Sequence, residues 1–299
     1  MGMEHLDLTP IACTLLRDLG LSDTHIEAVE SYSSAVWLTP EHVVHYHIIG
    51  SVGRLEHEAR VAERLPEEAL YPEVIAVGRQ GEHDWLVTKR VPGVPLSAAW
   101  PWMTQQERRD AIFQAADALR AVHHAPATDL IPPCLQGDAP TLSRRALIER
   151  LLAAGAVELA PLADAVDDGV PVMAHGDFNF NQVMWCEGRV TALLDLEMSH
   201  AESPDWDLAP FLGFCADPAR CVPEVRLEAV SRPEDYRDAP GWLLEAYPEM
   251  FAFARKRDRL LLHMLVYRAE ELLADPTQVN QIVSASLEEA RALETLLPD

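Results

Sequence analysis

Two short runs carry most of the chemistry this chain can do: His175-Gly176-Asp177-Phe178-Asn179-Phe180-Asn181-Gln182 and, shortly after, Leu193-Leu194-Asp195-Leu196-Glu197. They bring a carboxylate, several amides and a second carboxylate close together along the chain. Transfer of a phosphoryl group from a nucleotide needs that set. One Asp accepts the proton of the attacking hydroxyl, while an amide oxygen and a second Asp hold the magnesium ions that neutralise the phosphates.

The flanking residues say how the set is held. Residues 170–174 are a short apolar run that reads as a buried strand leading into His175. Residues 183–186 and 189–194 are strand-like, separated by Glu187-Gly188, a two-residue connection of the kind that closes a hairpin. Pairing Cys186 with Arg189 and counting back predicts Gln182 opposite Leu193 and Asn181 opposite Leu194, with Asp195 emerging beside residues 177–181. A Mg2+–nucleotide could bridge the carboxylates and amide gathered at that open end, since magnesium prefers oxygen ligands and keeps waters and phosphate oxygens in its shell.

His175-Gly176-Asp177, with an amide five residues after the Asp, resembles the catalytic loop of the aminoglycoside phosphotransferase family. These enzymes are distant relatives of protein kinases, whose loop reads His-Arg-Asp with Asn at that later position. Asp195-Leu196-Glu197 is similar to the family's counterpart of the kinase Asp-Phe-Gly. Ser203-Pro204-Asp205-Trp206-Asp207-Leu208-Ala209 resembles its Pro-x-x-Asp-Leu-Ala segment, whose Asp braces the catalytic loop. The resemblance implies an α+β, two-lobed protein-kinase-like fold, with a small antiparallel-sheet N-lobe and a mainly helical C-lobe. The lobes would be residues 1–89 and 98–299, joined by a linker at 90–97. It implies Mg2+ and ATP or GTP as cofactors, and transfer of the γ-phosphate to a small-molecule hydroxyl. Asp177 would be the general base and His175 would hold the loop's geometry. Asp195 and Gln182, helped by Asn181, would bind the metal, and Glu197 would assist the metal or brace Asp195.

Around that centre the pattern is readable. Residues 10–21 predict an amphipathic helix; residues 26–30, 35–38 and 42–49 predict three strands. Tyr32-Ser33-Ser34 falls where a kinase-like fold covers the phosphates, but has no glycine. Residues 53–65 predict a helix with Leu55, Ala59, Ala62 and Leu65 on one stripe. By position it resembles the helix whose Glu pairs with the strand-three Lys, and Glu58 is the choice for that Glu. Residues 74–78 and 85–88 predict two further strands, making a five-stranded sheet with one helix in this lobe. The segment Lys89-Arg90-Val91-Pro92-Gly93-Val94-Pro95-Leu96 then breaks the pattern. It resembles the inter-lobe linker whose backbone groups hydrogen-bond adenine, which places Lys89 and Val91 at the base. Helices are predicted at 105–124, opened by a Thr104/Glu107 capping box, and at 142–156, 159–166, 250–273 and 279–297. Leu119-Arg120-Ala121-Val122-His123 resembles the family's Leu-x-x-Leu-His signature, with His123 a packed helix-end residue.

Two departures bear on activity. No lysine precedes Lys89, so the strand-three Lys that binds the α- and β-phosphates is missing. His45 and His47 lie on one face of the corresponding strand and could meet a phosphate, as could Arg54 or Arg60. Second, the amide after Asp177 is Gln182 where the kinase loop has Asn. A Gln carbonyl is still a neutral oxygen ligand, and Asn181 beside it could exchange roles. The alternative to an enzyme is a non-catalytic, pseudokinase-type binding module lacking the N-lobe lysine.

Composition bounds the rest. The chain has 299 residues, 48% hydrophobic, enough for two lobes. Its net charge of −24 argues against nucleic acid as a partner and suits a cationic small molecule or plain solubility. No apolar run is long enough for a membrane span, and residues 1–7 carry no basic region of a secretory signal. The five cysteines lack metal-type spacing and read as free thiols in a reducing cytoplasm. Glu202, Asp217, Glu270 and Glu271 are candidates for gripping a cationic acceptor, an aminoglycoside-like antibiotic being the leading guess.

Overall fold

The computed structural model describes residues 8–29, 34–47, 53–127, 144–164, 170–222, 231–268, 272 and 276–298. Ser33, Glu270 and Glu271 lie outside these residues. Helix α1 (Thr9–Asp18) leads into strands β1 (Glu27–Val29), β2 (Ser34–Leu38) and β3 (His42–His47), then helix α2 (Arg54–Ala62), then β4 (Val74–Gln80) and β5 (His83–Lys89). The five strands form one antiparallel sheet in the order β1-β2-β3-β5-β4.

Strand alternation sorts this sheet into two faces. Trp37, Val44, Tyr46 and Val87 pack with Ala12 and Leu16 of α1. Leu86 packs with Leu55 and Ala59 of α2 on the other face. Among the described residues the lobe carries α-helices at both places the sequence predicts them, 10–21 and 53–65, rather than the single helix expected to accompany the sheet, because the sheet is apolar on both sides and each side must be covered.

After Lys89 the chain enters the second part. Strand β6 (Val94–Pro95) joins β8 (Val183–Cys186) and β9 (Arg189–Leu193) in a three-stranded sheet; β7 (Val172–Ala174) pairs with β10 (His200–Glu202). Around these lie helices α3 (Leu96–Ala99), α4 (Gln105–His123), α5 (Arg144–Ala153), α6 (Leu208–Ala216), α7 (Ala239–Ala246) and α8 (Lys256–Tyr267), and a last helix, Val279–Glu294. Thr104 and Glu107 form the expected capping box on α4. Two predicted helices are altered. Residues 157–164 wind as a 3-10 helix around Pro161. The predicted 250–273 helix starts only at Lys256, after a separate 3-10 turn (Pro248–Phe251) and Arg255 at φ 58.

The hairpin closes as predicted between Cys186 and Arg189, but its register slips. A bulge between Met184 and Trp185 places Val183 opposite Leu193, and Leu194 N–H donates to the Gln182 carbonyl at 2.7 Å. Gln182 thus faces Leu194 rather than Leu193. The extra residue is Thr191, whose hydroxyl bonds the carbonyl of Pro92 in the linker at 2.7 Å, consistent with bulges bending a strand where another segment approaches.

Candidate active site

The loop after β7 is built around Asp207. Its carboxylate accepts the backbone N–H groups of His175 (2.9 Å) and Gly176 (2.8 Å), and His123 Nε2 lies 2.9 Å from its Oδ2. Burial alone would raise the Asp207 carboxyl, but the His123 hydrogen bond and the other donors outweigh it and hold it below its ordinary value. His123, the last residue of α4, also lies 2.9 Å from the Tyr247 hydroxyl through Nδ1. The brace expected of Asp207 is therefore present, and His123 is part of it.

His175 is fully enclosed. Burial pushes its imidazole down to about 4, so it is neutral at ordinary pH, and its Nδ1 accepts the Asp177 N–H at 3.3 Å. Gly176 has φ +93, and a Cβ there would meet the Met198 carbonyl oxygen at 2.5 Å. Only glycine suits that left-handed, crowded position. The turn projects Asp177, whose carboxylate accepts from Asn179 Nδ2 (3.1 Å) and Gln182 Nε2 (2.9 Å).

Gln182 also reaches Asp195: its Nε2 is 3.1 Å from Asp195 Oδ2. One amide spans the two carboxylates. Asp195 sits at φ +64, a conformation that costs a non-glycine residue energy and is concentrated at functional positions. Asn181, by contrast, turns away from this centre. Its Oδ1 accepts from the Ser97 hydroxyl at 2.7 Å and its Nδ2 donates to the Cys221 carbonyl. The proposed exchange of roles between Gln182 and Asn181 is thus at odds with the geometry, because Ser97 and the Cys221 carbonyl hold the Asn181 amide away from Asp177 and Asp195.

Helix α2 closes the site from the N-lobe. Glu58 is buried, and its Oε1 accepts the Tyr71 hydroxyl (2.8 Å) and the Leu196 N–H (3.0 Å). Arg54 Nη1 bonds Glu197 Oε1 at 2.9 Å. His57 Nε2 lies 2.7 Å from the Ser199 carbonyl oxygen. One helix therefore grips residues 196–199 at three points. The helix start is fixed by Asp84 of β5, fully buried, whose Oδ2 accepts the Leu55 N–H at 2.6 Å. Glu58 does not pair with a strand-three cation; a tyrosine hydroxyl and a backbone amide take that place.

His45 feels the Asp195 charge, yet burial wins and lowers its pKa. His47 is buried with Nδ1 3.6 Å from Asp84 Oδ1, and burial lowers it too. Ser34 is buried opposite His47 in the β2–β3 register. Lys89, at the end of β5, is exposed and lies 3.9 Å from Glu73, and Val91 follows it, half-buried. Of the candidate acceptor grips, Glu202 is buried and accepts the Ser203 N–H at 2.6 Å, while Asp217 is exposed.

The electrostatics are those of acids crowded out of water. Asp177 is pushed up to about 7 by burial and then by the Asp195 charge. Glu58 and Glu197 are each pushed up to about 8 by the same two causes. Burial also raises Asp195, against the pull of His45 and Arg54. Carboxylates so placed favour a bound proton or a cation. Sequence reading did not anticipate the supporting partners Asp84, Tyr71 and His57.

A family model described as the phosphotransferase enzyme family, APH, matches residues 29–243. The chain belongs to this family, that of the aminoglycoside phosphotransferases. Among its relatives are an aminoglycoside 3'-phosphotransferase of Streptomyces fradiae, 28% identical over 46% of this chain, and one of Streptomyces ribosidificus, 30% identical over 33% of it. The chain spans 63% of the first relative's length and 34% of the second's. Among solved structures, aminoglycoside phosphotransferase APH(4)-Ia in ternary complex with AMP-PNP and hygromycin B has a TM-score of 0.63 at 18% identity, covering 96% of this chain and 98% of that one. The GDP complex of aminoglycoside 2'-phosphotransferase-IIIa has a TM-score of 0.60 at 13% identity, covering 98% and 99%. These likenesses show a shared kinase-like fold. Among the described residues no helix is long and apolar enough to cross a membrane.

Proposed function

We propose that this protein transfers the γ-phosphate of ATP or GTP to a hydroxyl of a small, cationic, aminoglycoside-like acceptor. The observation that carries this reading is the single Gln182 amide spanning Asp177 and Asp195, at 2.9 and 3.1 Å. Solved relatives hold AMP-PNP in one case and GDP in another, so both nucleotides are candidates.

The residues fit Mg2+. Asp195 and Gln182 would hold it, with the Gln182 amide turned to present its oxygen, exchanging its two hydrogen bonds to Asp177 and Asp195 for a contact with the cation. Magnesium takes one or two carboxylates and completes its shell with water and phosphate. When bound it supplies charge neutralisation on the phosphates. The chain does the rest. Asp177, pushed up to about 7 by burial and Asp195 in the metal-free protein and drawn down again by a bound cation, accepts the proton of the attacking hydroxyl as its ionised carboxylate. Asn179 orients that carboxylate. Neutral His175 and Asp207 hold the loop, and do not exchange protons with substrate.

The test is incubation with ATP or GTP, Mg2+ and a panel of aminoglycosides, followed by mass spectrometry for a phosphate-sized increase on the acceptor. Nucleotide consumed with an acceptor phosphorylated supports the reading. No product from any acceptor, with the same nucleotide bound independently of metal, sinks it. That second outcome is the binding-module reading, favoured by Glu58 having Tyr71 and Leu196 as partners instead of a lysine. The ATP-rich cytoplasm is the proposed compartment, in keeping with free thiols at Cys13, Cys186, Cys215 and Cys221.

A further inference from the structure

The nucleotide-binding lobe has no lysine before Lys89, and Lys89 itself is exposed beside Glu73. A cation for the nucleotide's phosphates must come from elsewhere. Arg60 is exposed on α2. Burial lowers the pKa of both His45 and His47, which disfavours the charged form that clamping a polyanion requires. Arg54 remains.

Its position is specified. Gly53, at φ +95, and Asp84, which accepts the Leu55 N–H at 2.6 Å, set the first turn of α2. The Arg54 guanidinium then reaches Glu197, in the same segment as Asp195. Its Nε is buried and has no hydrogen-bond partner among the described residues. A guanidinium has five N–H donors in a planar fork that matches phosphate, and its charge is permanent. Glu197 is seen to use only Nη1, so this fork has donors to spare beside the carboxylates that would hold the metal.

We propose that Arg54 grips the α- and β-phosphates of the nucleotide, a role moved from strand three to the first residue of the following helix. Arg54 then bridges the phosphates and Glu197, and couples nucleotide binding to the position of the Asp195 segment. This rests on the phosphotransferase reading of the same cleft.

The experiment is calorimetric titration of ADP with Mg2+, and of adenosine, into wild type and R54Q, with the melting temperature of each free protein as a control. R54Q is expected to bind ADP about tenfold more weakly or worse, the loss of charge-assisted hydrogen bonds, with adenosine affinity within about twofold. Unchanged ADP affinity overturns the proposal. So does an equal loss of ADP and adenosine, which would make Arg54 a support of the fold alone. Wild type that binds neither ligand sinks the phosphotransferase reading and this proposal with it. Should R54Q fail to fold, phenylglyoxal labelling of wild type replaces it. ADP with Mg2+ is expected to protect Arg54 where adenosine does not, and absence of protection by ADP overturns the proposal.

Discussion

Glu58 Oε1 accepts the Leu196 N–H at 3.0 Å, tying helix α2 to the residue that follows Asp195. The same oxygen accepts the Tyr71 hydroxyl at 2.8 Å. Both bonds need an acceptor oxygen; neither needs a charge. With Glu58 pushed up to about 8 by burial and by Asp195, the neutral form dominates at pH 7. E58Q is therefore expected to keep stability within about 1 kcal/mol of wild type. E58A should lose about 2–6 kcal/mol, since each of the two buried donors left without an acceptor costs about 1–3 kcal/mol. Denaturant unfolding at pH 7 checks this. E58Q as damaging as E58A would mean that the charge is required.

The base role proposed for Asp177 separates chemistry from binding. D177N keeps an oxygen for Asn179 and removes the proposed base. Turnover should fall about 10²–10⁴-fold, the usual share of a general base, while nucleotide affinity stays within about threefold. Steady-state rates on the best acceptor, with nucleotide titration alongside, decide it. A fully active D177N would rule Asp177 out as the base.

The crowded acids predict an unusual pH dependence for the free protein. Asp177, Glu58 and Glu197 have folded pKa values of about 7, 8 and 8, raised above their ordinary range. The folded state holds protons that the unfolded state has released, so stability falls as pH rises through these values. His175 acts oppositely. Its folded value of about 4 lies below the unfolded one, so its share of stability rises with pH and is complete above about 6.5. Between pH 6.5 and 8 only the acids' slope remains among these groups. The metal-free melting temperature is expected to drop across that window, and Mg2+ with nucleotide should flatten the drop. A melting temperature that rises from pH 6.5 to 8 without metal would contradict the crowding.

What the sequence made legible was local. His175 to Gln182, the Glu187-Gly188 turn and the Thr104/Glu107 cap each lie within a few residues, where spacing and turn chemistry act. The register error came from one bulged residue, Thr191, held by Pro92 across the linker, and no alternation pattern encodes that. Asn181 looked equivalent to Gln182 as an amide, but Ser97 and Cys221 hold it on the opposite side. The α2 contacts with residues 196–199 join positions well over a hundred residues apart. Such pairs depend on the whole fold, as does the buried Asp205–Arg259 bidentate pair at 2.6 and 2.7 Å.

Two glycines with positive φ offer a controlled pair. Gly188, φ +83 at the hairpin turn, has nothing within 4 Å of an added Cβ. G188A should cost only the left-handed backbone term, about 1–2 kcal/mol. Gly176, φ +93, carries the same strain and in addition would drive a Cβ to 2.5 Å from the Met198 carbonyl oxygen. A backbone atom cannot step aside as a side-chain tip can, so G176A should add an overpacking cost of about 1–3 kcal/mol. The displaced Met198 lies between Glu197 and Ser199, both held by α2. G176A is thus expected to lower phosphotransfer as well as stability, and G188A to lower stability alone. Unfolding curves and initial rates on both variants test the pair; equal effects on both measures would show that the close approach of Gly176 to Met198 does not constrain the proposed site.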